Sequence, residues 1–207
     1  MIGLVDAFST SYAQARVKFL EGAATASLQI ESFSQTAIGK DGEVLALDVA
    51  LQAPPQYLAT AKAKGHHVAD KLLIVSSAAN GAHHFCGSAV QVFALHDAEW
   101  MNKANDAGVA VLYLHGLAYV NQPFAPSLAL ILKKYLTGVK KLAWLDASGT
   151  VELKTGVNQA LEVATSTVKY QFSSVKGVAQ SEPAWQGQTI SLARQAMFQA
   201  VDALNKD

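Results

Sequence analysis

The 207-residue sequence predicts a single α/β domain, spanning residues 1–207, with a mixed, mostly parallel central sheet flanked by helices. Three unbroken apolar runs predict buried strands, because a strand covered on both faces needs no alternating polar residues. Segments with helical spacing separate the runs, and strands that alternate with helices indicate right-handed βαβ units. The three runs are Leu72–Val75, Val109–Leu114 and Leu142–Leu145.

An N-terminal helix and a β-hairpin are predicted before these strands. Ser11 and Gln14 form a capping-box pattern, and an apolar stripe at helical spacing follows it. The segment Leu28–Phe33 alternates like a strand, and a turn signal at residues 39–42 leads into a second apolar segment from Val44. Together they predict a hairpin with a loop somewhat longer than two residues. The helical stripe consists of Tyr12, Ala15, Phe19 and Ala23.

Further helices are predicted between and after the central strands. The first follows residues 72–75 and carries Val90, Phe93, Ala94, Trp100 and Met101 on its apolar stripe. The second begins at Pro126 and ends at Gly138. A last amphipathic helix carries Ile190, Ala193, Met197, Val201 and Leu204. The remaining predictions are a surface insertion at Gln56–Asp70, a helix at Val157–Ala164 and a strand at Thr167–Phe172.

The composition excludes several classes of protein. Lys+Arg and Asp+Glu both number 16, so no net charge attracts nucleic acid or anionic lipid. Cys86 is the one cysteine, which rules out an intrachain disulfide and fits a reducing compartment. The N-terminal ten residues lack the basic and apolar regions of a signal peptide, and no apolar run reaches the ~18 residues of a membrane span. We therefore expect a cytoplasmic protein with no nucleic-acid or membrane partner.

The most informative segment is KLLIVSSAANGAHHFCGSAVQ, residues 71–91. It predicts a buried strand that delivers a polar loop to the carboxyl end of the sheet, where open α/β folds bind ligands. His83 and His84 lie in this loop, and His115 ends a later strand. Imidazole suits zinc, copper and nickel, so a metal site is one interpretation. Histidines satisfied by backbone hydrogen bonds are the other interpretation, which we favour.

Three segments carry a resemblance to a known family. They are SYAQARVKFLEGAA, GKDGEVLALDVAL and LLIVSSAANGAHHFCGSAVQ, and they lie within about residues 8–96. In sequence and order they resemble the zinc carboxypeptidase (carboxypeptidase A-like) superfamily, in its bacterial, uncharacterised carboxypeptidase-like branch. LYLHG and WLDASG extend the resemblance more weakly. The resemblance implies a shortened carboxypeptidase-like sheet with zinc at the carboxyl ends of its strands.

The resemblance also implies where the catalytic groups would lie, and all four positions depart from the family's pattern. The first zinc ligand, a histidine, corresponds to Asn80, and the second, a glutamate, corresponds to His83. The third ligand corresponds to Ser148 and the general base to Gln171. The arginine-bearing segment that holds substrate has no counterpart between His115 and Lys140.

These substitutions predict the loss of zinc peptidase chemistry. Zinc needs three nitrogen, sulfur or carboxylate ligands, whereas asparagine and serine offer weakly basic neutral oxygens, and glutamine cannot accept a proton from water. We therefore expect no cofactor and no peptidase activity. We expect a binding or assembly role, in which the remnant cleft holds a peptide, a small molecule or a second copy of the chain.

The main alternative is a metal-dependent hydrolase, acting as a peptidase, deacylase or amidase. Its zinc would lie in a rearranged site made from His83, His84, His115 and Asp146.

A cysteine-dependent enzyme is the third hypothesis. Cys86 lies near a predicted helix start, where a thiol pKa can fall, and His84 or His115 would be its base. We favour a buried structural thiol. Ser76 and Ser77 lack the G-x-S-x-G pattern of a nucleophile elbow and are expected to bond backbone groups at the strand end.

Overall fold

The computed structural model describes residues 2–38, 42, 44–57, 69–77, 86–116, 125–145, 151–154 and 182–206. Most of the predicted insertion at Gln56–Asp70 lies outside these residues, as do the helix predicted at Val157–Ala164 and the strand predicted at Thr167–Phe172. Those three predictions remain predictions.

The described strands form one six-stranded sheet. They are β1 (Gln29–Ile38), β2 (Val44–Gln52), β3 (Lys71–Ser76), β4 (Ala110–His115), β5 (Lys141–Leu145) and β6 (Val151–Lys154). The spatial order is β1-β2-β4-β3-β5-β6. The three central strands β4, β3 and β5 are mutually parallel, whereas β2 and β6 pair with them in antiparallel fashion. The prediction of a mixed sheet with a parallel core and an N-terminal hairpin is confirmed.

Helices cover both faces of the sheet. They are α1 (Tyr12–Thr25), α2 (Cys86–Leu95), α3 (Ala98–Asp106), α4 (Ala125–Leu136) and α5 (Glu182–Asn205), with a short 3₁₀ helix at Val5–Ala7. Buried residues of α1, α2, α3 and α5 pack with Leu73, Val75, Val111 and Tyr113 of the sheet. Buried residues of α4 pack with Leu72, Ile74, Leu112 and Leu114. This alternation explains the unbroken apolar runs, because each central strand buries both of its faces.

The helix ends agree with the sequence signals in most places. At the start of α1, Ser11 Oγ accepts a hydrogen bond from Gln14 N at 3.2 Å, as the capping box predicts. Gln14 Oε1 accepts from Thr10 N, at 2.9 Å, instead of from Ser11 N. The predicted stripes of α1 and α5 are buried throughout.

One helix prediction is wrong. The pattern from Val90 to Met101 predicts one helix, but the structure has two helices, α2 and α3, separated at Asp97. The Asp97 carboxylate accepts a hydrogen bond from Trp100 N at 3.1 Å and so caps the second helix. An apolar stripe continues across this break, which is why its spacing alone did not reveal it. No helix of the described residues is long and apolar enough to cross a membrane.

Candidate functional site

The sheet has a topological switch point at β3. This strand lies between β4 and β5, with Ser76 opposite Leu114 on one side and Val75 opposite Leu145 on the other. The three strands are parallel, so their carboxyl ends meet at one edge, and the segments that follow β3 and β5 begin side by side. Open α/β sheets bind ligands in the crevice at such a point.

Most residues named as site candidates from the sequence follow these strand ends. Asn80, His83 and His84 come after β3, and Asp146 and Ser148 come after β5. All five, together with Gln171, lie outside the described residues. His115, the last residue of β4, is the candidate whose surroundings the structure describes.

His115 is enclosed in a buried polar cluster with only 1% of its surface exposed. Its Nε2 lies 2.9 Å from Ser88 Oγ in the first turn of α2. Its Nδ1 lies 3.8 Å from Asp48 Oδ2 on β2, a distance longer than a hydrogen bond. Phe19 of α1 stacks on the imidazole, with 4.7 Å between ring centroids and 14° between planes. The partner of His115 is therefore a side chain, not the backbone group that the sequence led us to expect.

Asp48 is the charged centre of this cluster, and its side chain is fully buried. Arg16 of α1 donates to both carboxylate oxygens, from Nε at 2.7 Å and from Nη2 at 3.0 Å. Ser32 Oγ donates to Oδ1 at 2.6 Å. Burial raises the pKa of the Asp48 carboxyl, but the facing His115 imidazole and the Arg16 and Ser32 donors outweigh it and hold this pKa well below its usual range. The carboxylate is therefore ionised at neutral pH.

His115 is neutral in the same environment. Burial lowers the pKa of its imidazole, and the opposing effect of Asp48 is smaller. The tautomer that suits both neighbours carries its proton on Nδ1, facing the Asp48 carboxylate. Nε2 then accepts a hydrogen bond from the Ser88 hydroxyl.

The described residues do not form a zinc site. Among the residues that the structure describes, no group of three or more histidine, cysteine or carboxylate side chains is arranged to hold a metal ion. His115 has one ring nitrogen on Ser88 and the other facing Asp48, in an enclosed setting. At the positions that the family resemblance assigns to the first and third ligands, Asn80 and Ser148 offer neutral oxygens.

Helix α2 is hydrogen-bonded to the carboxyl end of the sheet. Gln91 is fully buried, and its Nε2 donates to Val75 O at 2.9 Å and to Leu114 O at 3.0 Å. Gly116 N donates to Ser77 Oγ at 2.9 Å, which confirms that Ser77 bonds a backbone group. The same prediction is wrong for Ser76, whose buried Oγ has no hydrogen-bond partner among the described residues.

Cys86 is not activated. It is the first residue of α2 and is only 7% exposed. Burial raises the pKa of its thiol to about 12, so almost none of it is thiolate at neutral pH. The prediction of a buried thiol is confirmed, and the helix start has not made Cys86 a nucleophile.

Sequence reasoning missed Arg16, Asp48 and Ser88. One signal was present: Asp48 interrupts the apolar strand VLALDVAL, and a buried carboxylate needs a cationic partner. Nothing in the sequence identified Arg16, 32 residues earlier, as that partner.

Comparison with known proteins identifies a family. A family model described as a protein of unknown function (DUF2817) matches residues 8–121, more than half of the chain. No curated protein matches the sequence. The matched range runs from before α1 to beyond β4 and therefore contains Arg16, Asp48, Ser88 and His115.

Proposed function

The chain belongs to the family of proteins of unknown function DUF2817, and from this premise we propose that it is a degenerate zinc carboxypeptidase-like domain. It has no peptidase activity and acts by binding through the cleft at the carboxyl end of its sheet. Its occupant is a peptide, a small molecule or a second copy of the chain. Its single cysteine favours a reducing, cytoplasmic location.

The observation that carries the proposal is the position of β3 between β4 and β5. The resemblance assigns the first two zinc ligands to the segment after β3 and the third to the segment after β5. These segments begin side by side, because Val75 pairs with Leu145 in parallel register. The sheet thus has the connectivity that a zinc site assembled from these two segments needs.

The loss of chemistry rests on the residues at those positions. Asn80, Ser148 and Gln171 are neutral at every pH, so they can neither hold zinc in place of charged or imidazole ligands nor take a proton from water. They remain good hydrogen-bonding groups. The cleft therefore recognises its occupant by hydrogen bonds instead of by metal coordination.

The direct test measures metal in protein purified without a histidine tag. We expect less than stoichiometric zinc by elemental analysis, and no release of C-terminal residues from peptides. His83→Ala should not change the metal content. The control His96→Gln should not change it either; the imidazole of His96 is partly buried and lies against Val92 O of α2. Sedimentation over a range of concentrations then separates self-association from binding of another molecule.

The opposite result would support the alternative function. Stoichiometric zinc that is lost in His83→Ala but kept in His96→Gln would contradict the proposal. Together with hydrolysis of peptide, acylated or amide substrates, it would establish a metal-dependent hydrolase with a site drawn from His83, His84, His115 and Asp146.

A further inference from the structure

The buried cluster on the α1–α2 side of the sheet has chemistry that does not involve a metal. We propose that Ser88 is a nucleophile for acyl transfer, with His115 as its general base and Asp48 as the carboxylate that orients the imidazole. This activity goes beyond the proposed binding function and is independent of the zinc-ligand positions.

Ser88, His115 and Asp48 are arranged in the order of a nucleophile, a base and an orienting group. Ser88 Oγ and His115 Nε2 are 2.9 Å apart, which is direct hydrogen-bond contact between nucleophile and base. Asp48 Oδ2 faces the other ring nitrogen at 3.8 Å. Catalytic hydrogen bonds are often long without substrate and shorten in the reactive complex.

The charge states of Asp48 and His115 also suit an orienting carboxylate and a general base. Arg16 holds Asp48 by two hydrogen bonds, so the orienting carboxylate stays ionised. A neutral His115 is the form that can accept a proton. Arg16 acts through Asp48 and is therefore a positioning residue.

The position of Ser88 also fits. It is the third residue of the ten-residue helix α2, in the first turn, where backbone N–H groups have no partner within the helix. Such groups stabilise the oxyanion that forms when a hydroxyl attacks a carbonyl. This helix follows β3, the strand at the switch point of the sheet.

The reaction is acyl transfer from a carboxylic ester. Ser88 Oγ bonds to the ester carbonyl carbon while its proton passes to His115 Nε2, and His115 then returns that proton to the departing alkoxide as the C–O bond breaks. Water hydrolyses the resulting acyl-serine by the same proton transfers in reverse. Ser88 is only 4% exposed, so the acyl group must be small.

A short-chain fluorophosphonate probe tests the nucleophile. Ser88 Oγ attacks phosphorus, fluoride leaves, and the hydroxyl proton passes to His115. We expect intact-protein mass spectrometry to show one added probe on the folded wild-type chain, mapped to the peptide that contains Ser88. Protein unfolded in guanidinium chloride should not be labelled. Absence of labelling on folded protein, in a tube where a known serine hydrolase is labelled, would overturn the proposal.

Three variants assign the roles. Ser88→Ala should abolish labelling, and His115→Gln should slow it by about 100-fold or more, with circular dichroism confirming the fold. Ser76→Ala is the matched control, because Ser76 is also buried at this end of the sheet but its Oγ bonds to none of the residues that the structure describes. Its labelling should equal that of the wild type. Should His115→Gln fail to fold, the wild-type rate against pH serves instead: it should fall on acidification as His115 protonates. A rate insensitive to both His115 and pH would contradict the assigned base.

Discussion

Asp48 of β2 lies directly opposite His115 of β4 in the antiparallel pair, and both side chains are buried on the face that α1 and α2 cover. The carboxylate and imidazole are 3.8 Å apart at the nearest oxygen and nitrogen. Arg16 and Ser88 complete the cluster from the two helices. The cluster thus connects the hairpin, the central sheet and two helices.

Removing the cation from this cluster should destabilise the fold strongly. Arg16→Met leaves the Asp48 carboxylate buried without a counter-charge, so we expect a loss of about 3 kcal/mol in the free energy of unfolding by urea denaturation. The control Lys103→Met breaks a surface pair with Asp202, whose side chain is 56% exposed, and should cost less than about 1 kcal/mol. Equal, small losses for the two variants would show that Asp48 does not depend on Arg16.

The free energy of unfolding should decrease as the pH falls, because the imidazole of His115 is kept neutral in the folded protein. The pKa of the folded imidazole lies below its usual value of about 6.5, so the unfolded chain binds more protons in the interval between the two. The stability that neutral His115 provides is present at pH above that usual value, and it is lost as the pH falls toward the folded pKa. Asp48 adds a second loss below its own usual pKa, because its folded pKa is also lowered.

The measurement compares urea midpoints between about pH 7.5 and about pH 5.5. We expect the wild-type midpoint to decrease and the His115→Gln midpoint to change much less. The control His96→Gln keeps the pair of His115 and Asp48, so its midpoint should also decrease. An unchanged slope in His115→Gln would assign the acid sensitivity to other groups.

Gly116 should tolerate no side chain. Its φ is +82°, and a Cβ built there would lie 2.3 Å from Ala46 O, a backbone atom that cannot move aside. We expect Gly116→Ala to cost about 3 kcal/mol or more in thermal or urea unfolding. Gly42 is the control, since its φ is +79° but a Cβ there meets nothing within 4 Å. Gly42→Ala should cost only the backbone strain of about 1–2 kcal/mol. Similar costs for the two would mean that the contact with Ala46 relaxes.

Cys86 should react slowly with thiol reagents. Its buried thiol has a pKa raised to about 12, so alkylation by iodoacetamide at neutral pH should be at least about 100-fold slower in folded than in unfolded protein. Mass spectrometry over time measures the alkylation rates of folded and unfolded protein from the same preparation. Rapid alkylation of folded protein would revive the cysteine-dependent hypothesis.

The fold was largely predictable because the spacing of apolar residues along the sequence indicates which faces of a strand or helix are buried. The runs at residues 72–75, 109–114 and 142–145 predicted strands covered on both sides, and strands β3, β4 and β5 contain all of these residues except residue 109. The stripe Ile190 to Leu204 predicted α5 in the same way. The break between α2 and α3 was missed, because a capping aspartate is a local hydrogen bond that leaves the apolar period unchanged.

The sequence by itself determined the α/β class, the parallel core and the hairpin, since these follow from local pattern and composition. It also identified His115 as a residue of interest. Only the tertiary structure decided what His115 contacts. Asp48, Ser88 and Arg16 come from three other elements and meet at His115 only after the sheet and helices have packed. The physical reason is that a buried charge specifies the kind of partner it needs but not the position of that partner along the chain.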